Sequence, residues 1–220
     1  MGGSTRTVPH ASQIVYALML QNGVAMTNPQ AGSATFSSDA GLEAFNFYLR
    51  FGDPASAYYT WSDAMQAAPD SMVGGKTAMM MGYKSDLDEL RRKSPFLSVT
   101  AAPLPQPAGI VQPVTYADYQ GLAVSKQGKS ASWAWDFVVF ATTDAAAHKE
   151  YLSASGRAPA LRSEIGSRLD DENIGVFAKQ ALVARSWHEA DPAKIAAIFN
   201  HAIQDVLASR VDSSRALQTA

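Results

Sequence analysis

Apolar residues recur at helical spacing over most of this chain. Ile14, Val15, Leu18 and Met19 share one face of a segment that opens after Pro9 and stops at Asn22-Gly23, which predicts a first helix to about Gln21. A second helix follows Ser38, with Leu42, Phe45 and Leu49 in step and Phe47, Tyr48 and Phe51 beside them. Its apolar residues run nearly all round, the pattern of a buried helix. Ser62 is placed to cap a third helix that Pro69 breaks. Asp70 then opens a last turn, closed by Gly74-Gly75. Residues 77–81 are short, apolar and bounded by glycines, which predicts a buried strand. Ser85 and Asp88 resemble a capping box for a helix ending near Lys93. Further strand segments are expected at 97–102, 114–116 and 121–125, with the stiff run from Pro103 to Pro107 after the first of them.

The second half reads as mostly helical. Ser130 caps a segment carrying Trp133, Trp135, Phe137 and Phe140, and Asp144 caps a helix reaching Leu152. Gly156 opens a turn, and a helix is expected over about 176–184. Asp191-Pro192 is a cap and first-turn pair for a long helix to Ala208, and Asp212 caps a short last one. The aromatics at 45–51 and 133–140 keep helical spacing and read as core, as does the cluster of Tyr58, Tyr59 and Trp61. Helices with about four short strands among them place the chain in the α/β or α+β class.

Composition narrows the partners. The chain has 220 residues, 47% hydrophobic and 10% aromatic, enough for one large domain or two small ones. A formal charge of −2 without a basic stripe argues against nucleic acid and anionic membranes. With no cysteine there is no disulfide, thiol nucleophile or thiolate metal ligand. No apolar run approaches the roughly 20 residues that span a bilayer. The first residues carry no apolar signal-peptide core, so residues 1–8 read as a leader or the point of a truncation.

The obvious catalytic motifs fail on inspection. Gly75-Lys76-Thr77 looks like the end of a phosphate-binding loop, but position 70 is Asp70 where that loop needs glycine. The order of elements is also reversed, since Lys76 enters a strand rather than a helix. His188-Glu189 begins like a zinc motif, but Pro192 stands where its second histidine should be. No Gly-x-Ser-x-Gly elbow anchors a serine nucleophile. Acidic runs such as Asp170-Asp171-Glu172 read as helix starts and solvated faces. No catalytic residue, metal or cofactor is expected.

An ordered set of short motifs then emerges. Gly75-Lys76-Thr77-Ala78-Met79-Met80-Met81-Gly82-Tyr83 is followed by Ala102-Pro103-Leu104-Pro105, then by Gly121-Leu122-Ala123-Val124-Ser125-Lys126. After these come Ala134-Trp135-Asp136-Phe137 and Ser155-Gly156-Arg157-Ala158-Pro159-Ala160. Together they resemble the extracellular solute-binding proteins of ABC transporters, family 1, the maltose-binding-like group, over about 9–220. The resemblance implies a helix-rich α/β fold of periplasmic-binding-protein type II with an incomplete first lobe. Residues 9–96 and 156–220 would form the second lobe, and 100–153 a partial first-lobe segment. It implies a non-enzymatic receptor, periplasmic or extracellular, that closes on a sugar or other small polar solute and passes it to the membrane subunits of an ABC importer.

The same resemblance supplies the candidate ligand-binding residues. Tyr83 sits where the family carries a cleft aromatic. Tyr116, Asp118, Tyr119 and Gln120 occupy a turn that faces the family's cleft, or that merely supports the sheet. Trp187 and His188 precede the last long helix, near another binding aromatic of the family. Rings would stack on sugar C–H faces while Asp118 accepts hydroxyl hydrogen bonds. If the first lobe is incomplete, its strands lack partners and an apolar face is left exposed. A missing lobe-one segment or a homodimer would cover that face. A second class of function therefore stands beside the first: a helix-rich interaction module, or a split half, that docks another chain.

Overall fold

The computed structural model describes residues 3–30, 32–119 and 121–220. Helix α1 (Ala11–Gln21) forms where the apolar spacing placed it and ends as expected at Asn22, followed by Gly23 at φ +75°. Helix α2 (Asp39–Leu49) starts at Ser38, whose hydroxyl accepts the Gly41 N–H at 3.2 Å, and Asp39 adds a charge that suits the positive end of the helix.

Helix α3 (Ala68–Val73) corrects the reading of Pro69. The proline lies in its first turn, where the missing N–H costs nothing, and residues 62–66 form turns rather than a helix. Its stop is as the sequence reads. Gly75 takes φ +69°, the Gly75 N–H donates to Met72 O, and the Lys76 N–H donates back to Ser71 O at 2.8 Å. Helix α4 (Lys84–Lys93) begins two residues earlier than expected. Its cap is Tyr83, with Asp86 rather than Asp88 accepting the Tyr83 N–H at 2.6 Å.

Strands are scarcer than expected. Among the described residues the sheet is β1 (Thr115–Tyr116) paired in parallel with β2 (Ala184–Arg185), Thr115 opposite Ala184 and Tyr116 opposite Arg185. Segments 77–81, 97–102 and 121–125 belong to no ladder. Their composition suits strands, but a strand exists only where a neighbour takes up its backbone groups. Between β1 and β2 run α5 (Ala131–Thr143), α6 (Ala145–Ser155), α7 (Arg162–Ile165) and α8 (Gly175–Ala181). Asp144 caps α6 through the Ala146 and Ala147 N–H groups, whereas the Ser130 side chain makes no capping bond to α5. After β2 come α9 (Pro192–Leu207), capped by Asp191, and α10 (Ser213–Gln218), capped by Asp212.

The chain divides into two compact units. The first is Met1–Tyr116 with Val183–Ala220, and the second is Ala117–Leu182. The first holds the main core, built from α1, α2, α9 and α10 around Tyr16, Phe45, Tyr48, Phe199, Ile203 and Leu217. Residues 4–8 are part of it. The Tyr48 hydroxyl donates to Ser4 O at 2.8 Å, Trp61 Nε1 donates to Thr7 Oγ1 at 3.1 Å, and the Ser4 hydroxyl donates to Asp63. Trp61 is thus half-buried by packing, but Tyr58 is 61% exposed and is not core.

The second unit buries Leu152, Ile165, Ile174 and Ala178, with His148 Nδ1 against Glu164 Oε2 at 2.6 Å. Its helix α5 overturns the expectation of core packing at 133–140. Trp133 is 76% exposed, Trp135, Phe137, Val139 and Phe140 are each more than half exposed, and no residue of the helix is buried. The spacing was helical, but among the described residues no layer covers the helix.

Replacing Phe199, which packs its ring at 4.9 Å from those of both Tyr16 and Phe36, by Ala should cost about 3–5 kcal/mol. Replacing the exposed Trp135 by Ser should cost about 0.5 kcal/mol or less. Urea unfolding followed by circular dichroism separates the two, and equal midpoints would contradict this placement of the core.

Candidate functional site

The first unit gathers three of the sequence-predicted site residues. Tyr116 lies on β1, and its ring stands 5.6 Å from that of Tyr16. Trp187 follows β2, and its ring meets the other side of the cluster, 5.4 Å from Tyr16 and 6.4 Å from Phe36. All these pairs are edge-on, the arrangement that brings the positive ring edge to a negative ring face. Tyr16 is fully buried on α1, so it sets where the two outer rings sit. The Trp187 Nε1–H is closed to solvent and has no hydrogen-bond partner among the described residues.

The Tyr116 hydroxyl donates to Glu189 Oε1 at 2.7 Å. Burial, the Glu189 bond and charge, and the neighbouring Tyr83 and Tyr16 push its pKa far above the ordinary tyrosine value. At physiological pH Tyr116 is therefore a neutral hydroxyl whose proton points at Glu189, leaving its oxygen to accept.

Tyr83 is fixed by its surroundings. The His10 ring meets it edge-on at 4.8 Å, and His10 Nε2 lies 3.0 Å from Asp86 Oδ2. Asp86 folds back over the Tyr83 N–H close to Gly82, where a Cβ would stand 2.7 Å from Asp86 Oδ2 and push that carboxylate aside. Burial alone would raise the Asp86 carboxyl. The hydrogen bonds from His10 and the Tyr83 N–H outweigh it and hold the pKa below the ordinary carboxylate value.

The other candidates fall elsewhere. His188 is exposed beside Trp187. Asp118 and Tyr119 belong to the second unit and are exposed, Tyr119 by 64%. Gln120 lies outside the described residues. His10, Asp86 and Glu189 were missed by the sequence reading, because each acts through a partner distant in sequence. Glu189 had a signal only as half of a failed zinc motif. No group of three or more His, Asp or Glu side chains that could hold a metal occurs among the described residues.

Two cavities also open on the first unit. One of about 450 Å³ is lined by polar groups including Arg6, His10, Ser12, Asp70 and Lys93. The other, about 300 Å³ and mostly apolar, lies between α1, α2 and the proline-rich strap, with Leu18, Phe47, Met81 and Leu104 on its walls. Neither is lined by Tyr83, Tyr116 or Trp187.

No protein-family model matches the chain, and no curated protein matches it. Solved structures do. A cyclo/maltodextrin-binding protein complexed with maltotetraose superposes with a TM-score of 0.77 at 18% identity, over 94% of this chain and 54% of that one. An ABC substrate-binding protein from Listeria monocytogenes, in complex with cycloalternan, gives a TM-score of 0.68 at 22% identity, over 99% of this chain and 56% of that one. A cyclic α-maltosyl-1,6-maltose binding protein from Arthrobacter globiformis gives 0.68 at 15% identity, with the same two coverages. The chain thus has the helix-rich periplasmic-binding-protein fold of sugar-binding ABC solute-binding proteins, and it spans a little over half the length of these solved chains. All three are named as binding proteins. Among the described residues no helix is long and apolar enough to cross a membrane.

The lowered Asp86 value has a measurable consequence, shared with Asp63. In Asp63 burial opposes the shift, but the Ser4 hydroxyl, the Arg6 and Thr7 N–H groups and the Arg6 charge outweigh it. Folding favours both ionised forms, so their stabilisation is complete above pH about 4 and is lost as pH falls through the lowered values. Urea midpoints should drop between pH 7 and pH 3. Asp86→Asn should lower the midpoint at pH 7 and narrow that drop, and an unchanged drop in the variant would contradict the pairing.

Proposed function

We propose that the chain is a solute-binding protein, or the larger part of one, that captures a neutral sugar or similar polyhydroxylated solute for an ABC importer. The observation that carries this reading is the aromatic and carboxylate group of Tyr83, Tyr116, Trp187 and Glu189 on a fold shared with proteins solved with maltotetraose and cycloalternan. Flat rings suit the C–H faces of pyranoses, and short polar groups suit their hydroxyls. Because the Tyr116 proton is committed to Glu189, its oxygen accepts from a solute hydroxyl, which a sugar can supply. Asp118, Tyr119 and Gln120 would add contacts from a second surface as the receptor closes, and His188 would add one beside Trp187.

In this reading the protein is not an enzyme and works outside the cytoplasm, where an importer's receptor must meet its solute. Residues 9–96 with 156–220 and residues 100–153 would contribute to two lobes. Contacts that bridge the lobes would shift the open–closed equilibrium toward closure. A receptor with an incomplete first lobe closes poorly, so the 220-residue chain should bind weakly.

An amide NMR titration with maltotetraose, cycloalternan and tagatose tests this. At least one should perturb Tyr83, Tyr116 and Trp187 with a dissociation constant of about 1 mM, and Tyr116→Phe should weaken it roughly tenfold, or about 1.4 kcal/mol. No perturbation at saturating sugar would overturn the assignment. Submicromolar binding would instead sink the idea of an incomplete cleft.

A further inference from the structure

The 300 Å³ groove of the first unit stands apart from the aromatic cluster, since none of Tyr83, Tyr116 and Trp187 lines it. Two helices and the proline-rich strap form it. Helix α1 turns Ile14, Leu18 and Gln21 toward it, and α2 turns Glu43, Phe47 and Arg50, each set at i, i+4, i+7 spacing on one face. Ala17 and Ala44 also line it and are buried, so the space exists because both side chains are small.

The walls are fixed from within. Gln21 Nε2 donates to Pro105 O at 3.0 Å and to Val114 O at 3.1 Å, which ties the strap to α1. Gln106 Nε2 donates to Leu104 O and Val114 O, and its Oε1 accepts the Val114 N–H. Phe47 is 41% exposed, and Phe51 meets its ring edge-on at 5.3 Å. These bonds spend the amide groups that could have met a hydroxyl, and Asn22 Nδ2 is likewise spent on Ala40 O. What is left facing the groove is mostly apolar. Glu43 and Arg50 are the charged exceptions. Both are exposed, and neither side chain makes an ion pair or hydrogen bond among the described residues. They lie roughly 10 Å apart along the axis of α2.

We propose that this groove is a second binding site, for a small apolar carboxylate whose hydrocarbon body lies against Leu18, Phe47, Met81 and Leu104 and whose head pairs with Arg50. Its volume selects the size of the occupant. Small-molecule clefts begin at about 300 Å³. One turn of a peptide helix, about 10 Å across and about 5.4 Å long, needs about 420 Å³ and does not fit. The lining selects the body. A sugar here would give up water for aliphatic and proline side chains and gain no hydrogen bonds in return. Met81 is unbranched and adapts to a chain or a ring. Charge selects the head. A guanidinium takes a carboxylate through two parallel N–H···O bonds, and Glu43 repels a second carboxylate at the far end. The site stands independently of the sugar reading.

The test titrates the full 220-residue chain with octanoate, octanol and octylamine and follows the methyl resonances of Ile14, Leu18, Met81 and Leu104 by NMR. Octanoate should shift them saturably with a dissociation constant of about 1 mM or below, as about ten non-hydrogen atoms give at modest efficiency. Arg50→Gln alters an exposed side chain, so it should weaken octanoate roughly fivefold, leave octanol unchanged and leave thermal unfolding unchanged. Octylamine should bind more weakly than octanoate. Equal affinity for octylamine and octanoate overturns the proposal, as does an Arg50→Gln variant that binds octanoate like the parent chain. Shifts confined to the exposed Trp133 and Trp135 rings of the second unit also overturn it, because the carboxylate is then only adsorbed on α5. None of these results bears on Tyr83, Tyr116 and Trp187, whose sugar contacts are read by the separate titration.

Discussion

The constraint on which the first unit depends is the burial of one ring. Tyr16 is fully enclosed at the middle of α1, with Phe199 of α9 on one side and Tyr116 and Trp187 on others. Each neighbour comes from a different part of the chain, so the ring ties together segments that local propensity could never join. Edge-to-face pairs add about 0.5–1.5 kcal/mol each beyond the area they bury. They also fix angles, and here the angles decide where Tyr116 and Trp187 are presented. Core packing and site geometry are the same set of contacts.

A second layer of polar contacts holds the candidate residues on that scaffold. Glu189 accepts the Tyr116 hydroxyl hydrogen bond, and Asp86 holds Tyr83 by its backbone while pairing with His10. Both carboxylates work on aromatic residues rather than on each other, so each tyrosine is held in place by its own partner. Side chains already ordered lose less entropy on binding.

Much of the helical layout was legible in the sequence because its signals are local. Ser38, Asp144, Asp191 and Asp212 cap the helices they precede, and Gly75 stops α3 as its φ of +69° allows. The strands were not legible to the same degree. A run such as 77–81 states only that it suits a strand, and whether it becomes one depends on a neighbour that the run does not encode. The aromatic spacing of α5 was read correctly as helical and wrongly as buried, for the same reason. Of the candidate cluster, Tyr83, Tyr116 and Trp187 stand out in the sequence, while their partners His10, Asp86 and Glu189 do not, because pairing across the chain leaves no periodic trace.

The two-residue ladder between β1 and β2 has a consequence for the integrity of the chain. The backbone leaves the first unit after Tyr116, returns at Val183, and then supplies α9 and α10, which carry Phe199, Ile203 and Leu217 into the main core. The last segment is therefore held by its buried side chains as well as by its peptide link to the second unit. A protease that nicks the loops of 117–182 severs the covalent path but not that grip. The nicked protein should stay together as two interlocked pieces and part only when the core itself melts.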